Sequence, residues 1–272
     1  VGATEPWIAA VVLQLVDEGA LALDDGLTTI VGLSALYQVP DAQRMTVRQA
    51  LSQTTGFHDH FGLLGFLNDV VGPGVDPARQ REPAAPLEFF HLRGYRPVAR
   101  PGEHASYSGA NATILGMVIE AAGGQLLNDA LSARVFGPAS VDTGIAAFGG
   151  PMPTVSNYVD LQDTLVDIGA APVPVSGRRY LYDLAAIDPS WAWASGGICV
   201  TAAELAQLMD WLTKGNFAGP EAIAMMMDAS LASANVDDEA GPRYGLGLMH
   251  RAIPAGGREL SDKAVTFAYG YD

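Results

Sequence analysis

Cysteine is almost absent from this 272-residue chain, and lysine nearly so. The single Cys199 leaves no intrachain disulfide and no thiolate-based metal site. Set in the apolar run GGICVTAAEL, it is expected to be a buried, inert thiol. Only Lys214 and Lys263 accompany thirteen arginines, so a mechanism needing a lysine amine finds none in residues 1–213. Charged residues make up only 17% of the chain, and the balance is −15. So acidic a chain lacks the basic footprint that a phosphate backbone requires, which excludes nucleic acid as a partner. No apolar run reaches the roughly 18–20 residues of a membrane span. No basic segment precedes residues 7–16 in the manner of a signal peptide. The expectation is a soluble protein, cytoplasmic or exported after loss of a leader, of open oligomeric state.

What is present is apolar sequence, 49% of the residues, enough for a sizeable core. Residues 6–19 read as a helix, with Pro6 in the first turn and Gly19 as its stop. MTVRQALSQTTG (45–56) reads as a helix capped by Thr46, and GPGVDPARQREPAAP (72–86) as a Pro/Gly-rich surface excursion. A long apolar helix is expected from about Asn111 to Ala122, stopped by Gly123-Gly124, and another after an N-cap at Thr201. The ASGG stretch before it suits a short strand or turn. Residues 150–190 show no clear periodicity, whereas RYGLGLMHRAI (243–253) alternates like a strand and AVTFAYGYD (264–272) suggests another.

Several of these blocks, in order, resemble the penicillin-binding-protein and class C β-lactamase family of SxxK serine hydrolases. AAVVLQLVDEGALALDD resembles the family's first core helix and following turn, and MTVRQALSQTTGF the helix and turn before its pocket. SYSGANATILGMVIEAAGG resembles the segment with the YxN motif, ASGGICVTAAELAQLM a Gly-Gly turn and helix, and YGLGL the strand before the last motif. The resemblance implies an α+β fold in a single domain over 1–272: an antiparallel sheet flanked by helices, and an all-helical lobe. The lobe would span about 36–190, inserted into an α/β part formed by 1–35 and 191–272, with a cleft between. It also implies sheet-forming segments beyond both ends of this sequence.

The catalytic motifs depart from the pattern. In an SxxK helix the amine sits one turn from the serine and takes its proton. Here the ungapped alignment puts Gly2 at the serine position and Glu5 at the lysine position, so SxxK reads GxxE. A one-residue gap would leave the serine absent between Gly2 and Ala3, still with Glu5 for lysine. In the second motif Tyr107 remains, Gly109 replaces the Asn, and Asn111 stands two residues further on. The third motif's His or Lys position falls on Tyr271.

Glu5 and Tyr107 are therefore the candidate catalytic pair. Glu5 could instead complement the helix dipole or bind substrate, and Tyr107 could be a hydrogen-bonded core residue. Gly2, Phe57, His58, Asn111, Trp191, Trp193, Ser195 and Tyr271 are the candidate substrate-binding residues, the two tryptophans beside ASGG having core packing as the alternative. His58, Asp59 and His60 suggest metal ligation, but residues two apart in a turn splay, and a polar rim suits them better. His91, His104 and His250 read as structural or surface residues. No metal and no cofactor are expected; the partner would be a small-molecule or peptide-like ligand in the cleft. Three functions stay open: non-hydrolytic acid/base chemistry (elimination, isomerisation or cyclisation) on a small organic substrate, a noncatalytic ligand- or protein-binding role, and a serine esterase, D-peptidase or β-lactamase-type hydrolase should residues 2–5 differ from what is written.

Overall fold

The computed structural model describes residues 4–37, 39–60, 66, 69–70, 74–76, 78–141, 158–160, 173–175, 179–183, 188–198, 200–228 and 243–250. Gly2, Cys199, Tyr271 and the strand expected over 264–272 lie outside them.

Helix α1 (Glu5–Asp17) carries almost no polar side chain before Gln14, and such a helix must be enclosed on all sides. Every residue from Pro6 to Leu15 is buried. Its end is set by Gly19 (φ +72°): the Gly19 amide donates to Val16 O and the Ala20 amide to Leu15 O, satisfying carbonyls the helix cannot. Two short helices follow, α2 (Leu27–Ile30) and α3 (Leu33–Leu36), then α4 (Val47–Leu51). Thr46 caps α4 as expected, in a reciprocal capping box with Gln49, although the helix is shorter than the sequence suggests. Amide bonds from Val47 to Asp25 O and from Arg48 to Leu23 O fasten α4 to the LDD turn.

Helix α5 (Ala85–Leu92) begins where the Pro/Gly-rich excursion ends. The long helix α6 (Gly109–Gly123) starts two residues earlier than the apolar pattern indicates, because the Ser108 hydroxyl accepts from the Ala110 amide. Helix α6 packs directly on α1. It is followed by α7 (Leu127–Leu131) and a π-helical turn over Ser132–Phe136. Among the described residues of 150–190 are three short strands, β1 (Tyr158–Asp160), β2 (Val173–Val175) and β3 (Arg179–Asp183), in an antiparallel sheet of order β1-β3-β2. The expectation of an all-helical lobe is corrected there; strands this short leave no periodic signal.

The ASGG stretch is likewise neither strand nor turn but a single helical turn, α8 (Trp193–Gly196). Helix α9 (Ala202–Thr213) has Thr201 as its cap, paired with Glu204, and α10 (Pro220–Met227) follows. The stretch 243–253 is not one strand. Its described part folds back as a tight hairpin, β4 (Arg243–Tyr244) against β5 (Met249–His250), because Gly247 takes φ +79° and the Gly245 amide donates to Leu248 O. Among the described residues, no helix is long and apolar enough to cross a membrane.

Gly116, in the middle of α6, faces α8: a Cβ there would lie 2.8 Å from Ala194 Cβ and from the Trp193 ring. Gly116→Ala gains up to about 1 kcal/mol of helix propensity, but overpacking here costs about 1–3 kcal/mol. Urea unfolding is expected to give net destabilisation; a variant more stable than the parent would contradict this packing.

Candidate functional site

Three pieces of chain converge at the first turn of α1. The first is α1 itself, which carries Glu5. The second is the segment 53–60, anchored at successive residues to the entry of α6. The Gly102 amide donates to Thr54 O, the Val98 amide to Gly56 O and the Ser106 amide to Gln53 O. Gly56 (φ +86°) has no room for a side chain, since a Cβ would fall 2.1 Å from Ala99 O. The Ser108 hydroxyl donates to His58 O at 2.6 Å, and Asp59 Oδ1 accepts from the Gly109 amide at 3.1 Å. The third piece is the β4–β5 hairpin, whose turn is seated by the Gly247 amide donating to Leu51 O. A Cβ on Gly247 would meet Ala9 Cβ at 2.1 Å, so glycine is what lets the turn lie on α1.

Glu5 and Tyr107, the expected pair, are brought together. Glu5 Oε1 and the Tyr107 hydroxyl are both sealed from water. They interact as donor and acceptor, in a contact looser than the well-formed bonds of the core; such slack is common before a ligand draws a site together. Burial pushes the Glu5 carboxyl up to about 8, the Tyr107 hydroxyl pulls it back, and the Asp59 charge raises it further. Tyr107 is pushed well above its ordinary value, chiefly by burial and then by Glu5 and Asp59, so it remains a neutral donor. Tyr107 also packs with Ala105, Tyr244 and Met249. The charge of Asp59, read from the sequence as rim, acts on both members of this pair, whereas Tyr244 neighbours Tyr107. Gln53 carried no signal at all: its Oε1 accepts from the Ser108 amide and from Asn111 Nδ2, an arrangement that only the fold creates.

The other candidates separate. Asn111 is fully buried, its amide donating to Gln53 and its Oδ1 accepting from Thr55 Oγ1 at 2.5 Å. Ser195 is also fully buried, its hydroxyl donating to Ala192 O at 2.6 Å. Both were expected to touch substrate; the bonds described here tie them to the protein's own groups. Trp193 packs against Gly116, and Trp191 lies 6.5 Å from the Phe66 ring, so both belong to the core region. Phe57 stacks on Phe90, and with His58, Leu87, Tyr95 and Arg96 lines a small surface pocket. His60 is enclosed by Phe66 and Phe90, and burial pushes it down to about 3. Among the described residues, no group of three His, Cys, Asp or Glu side chains could hold a metal ion.

Residues 4–268 match the Beta-lactamase family, and the chain belongs to that family. It is similar to penicillin-binding protein 4 of Amycolatopsis lactamdurans, 29% identical over 133 residues, covering 48% of this chain and 31% of that protein. It thus spans about a third of that relative's length. Among solved structures, it is similar to a D-stereospecific amidohydrolase from Streptomyces sp. (TM-score 0.75, 24% identity, 93% of this chain and 70% of that one). A D-amino acid amidase from Ochrobactrum anthropi SV3 is also similar (TM-score 0.70, 21% identity, 92% and 65%). At these identities the structures establish the fold, that of β-lactamases and penicillin-binding proteins.

Two buried groups give stability opposite pH slopes. Folded Glu5 keeps its proton after the unfolded chain has lost it, so stability falls as pH rises from 4.5 to about 8. Folded His60 refuses the proton that the unfolded chain takes, so stability falls as pH drops from 6.5 to about 3. Each slope reaches at most about 1.4 kcal/mol per pH unit. Denaturant melts across pH are expected to peak between 4.5 and 6.5, where the two oppose. Glu5→Gln should flatten the alkaline limb alone; an unchanged limb would contradict the burial of this carboxyl.

Proposed function

We propose that this protein has left the acyl-serine route of its family and uses Glu5 and Tyr107 for acid/base chemistry on a small amide or peptide-like ligand. An elimination, isomerisation or cyclisation is the reaction type. The observation that carries this is a carboxyl group with one oxygen sealed from water beside a tyrosine hydroxyl, its titration moved to about 8. A carboxyl in the ordinary range holds no proton at neutral pH, whereas one near 8 both gives and takes it there. Glu5 stands where the family resemblance places the lysine, so the proton-handling position is kept while its chemistry changes. The Tyr107 hydroxyl would donate a hydrogen bond to the oxygen that becomes negative as the carbon acid loses its proton. Gly2 in place of the serine removes the nucleophile. The cleft is read as lying between an α/β part (1–35 and 191–272) and a lobe over about 36–190, with a larger antiparallel sheet completing the former. Phe57, His58, Trp191, Trp193 and Tyr271 remain proposed neighbours of the ligand.

Relatives named as amidases suggest the probes. In deuterated buffer, Glu5 would remove the α-proton of L- or D-phenylalanine amide, and a solvent deuteron would return. Exchange followed by NMR is expected to rise with pH to a plateau above about 8, and to fall about 10²-fold or more in Glu5→Gln. Two outcomes overturn the reading. A serine adduct with a fluorophosphonate or fluorescent penicillin would return the protein to the hydrolases. Saturable binding of the amide without exchange, unaffected by Glu5→Gln, would make it a binding protein.

A further inference from the structure

Tyr107 is gripped on both flanks by one residue of the neighbouring loop. The Ser106 amide donates to Gln53 O at 2.8 Å, and the Ser108 amide donates to Gln53 Oε1 at 2.9 Å. Ser108 is extended (φ −154°, ψ 126°), and along extended chain alternate amides point the same way, so both bonds run to one side. The same Oε1 accepts from Asn111 Nδ2 at 2.5 Å, in the first turn of α6. Two N–H donors on one atom identify it as the amide oxygen. Gln53 is itself fixed: it is buried, and Thr54 O and Gly56 O close by accept from the Gly102 and Val98 amides. Its backbone stands at φ +60°, a left-handed conformation that residues with side chains seldom take. Glycine would hold that backbone with less strain; glutamine adds the oxygen that binds the Ser108 amide and Asn111. Helix α6 in turn packs on α1, which carries Glu5.

We propose that Gln53 is the positioning residue of the site: its carbonyl and side-chain oxygens hold the chain on either side of Tyr107 and so aim the phenol. In this role it touches no ligand and moves no proton. A donor to a developing negative oxygen is effective only when it is aimed beforehand. The hydroxyl lies at the far end of a long, rigid ring, so a small tilt of residues 106–108 is magnified there. This role depends on the one given above to Tyr107, and it accounts for what keeps that hydroxyl in place while a ligand comes and goes.

The substitution Gln53→Met keeps the length of the side chain and removes the oxygen, whereas Gln53→Glu keeps an oxygen at the same reach. In the deuterium-exchange assay with phenylalanine amide, Gln53→Met is expected to lower the maximal rate about 10- to 100-fold. The half-saturating amide concentration is expected to stay unchanged, and Gln53→Glu to restore the rate. With ¹³Cζ-labelled tyrosine, the Tyr107 resonance is identified by its loss in Tyr107→Phe and is expected to shift in Gln53→Met. A resonance and a rate that Gln53→Met leaves in place overturn this proposal and spare the role of Tyr107. A resonance that shifts while the rate holds, or a Tyr107→Phe variant with the parent's rate, removes Tyr107 from the reaction and Gln53 with it. Should Gln53→Met fail to fold, Gln53→Asn gives the same comparison: asparagine suits a left-handed backbone, but its amide falls one carbon short of Ser108.

Discussion

Helix α1 is buried on every side from Pro6 to Leu15, and that enclosure fixes where its first turn delivers a side chain. The long helix α6 packs along it, and the turn of the β4–β5 hairpin rests on Ala9. The hairpin's glycine and Gly116 both sit where a single extra carbon would collide with a neighbour. Such close packing leaves α1 little freedom to slide or turn. Glu5 is therefore presented to the 53–60 loop and to Tyr107 by the core rather than by its own flexibility.

Electrostatics follows from that placement. Taking a carboxylate out of water costs free energy unless donors replace the water, and here the principal replacement is one neutral hydroxyl. The proton stays, and the group becomes an acid at neutral pH. The Asp59 charge pushes in the same direction, against the pull of the Tyr107 hydroxyl. His60, a few residues along the same loop, shows the converse for a base: the same desolvation strips its proton. One physical effect thus sets the charge state of both groups.

Much of the helical framework was legible because its signals are local. Thr46 and Thr201 each precede a Gln or Glu three residues on, and Gly19 and Gly124 close their helices. The pairing of Glu5 with Tyr107 was legible only through the family resemblance, since 102 positions separate them. Contacts that arise from tertiary structure were not legible. Asn111 and Ser195 look like ligand contacts in sequence, but the fold turns their polar atoms onto Gln53, Thr55 and Ala192. Asp59 stood out only as part of a polar rim, and Tyr244 reaches Tyr107 only through the hairpin. The strands within 150–190 and the hairpin of 243–250 escaped because two to five residues are too few for a period to register.

The central claim is that Glu5 carries a proton at a pH where surface carboxyls have lost theirs. Infrared spectroscopy distinguishes a protonated carboxyl from a carboxylate directly. At pH 6.5 the protein is expected to show a protonated-carboxyl band that disappears above pH 9 and is absent from Glu5→Gln. A spectrum with carboxylate bands alone at pH 6.5, or a protonated band that survives in Glu5→Gln, would contradict the account.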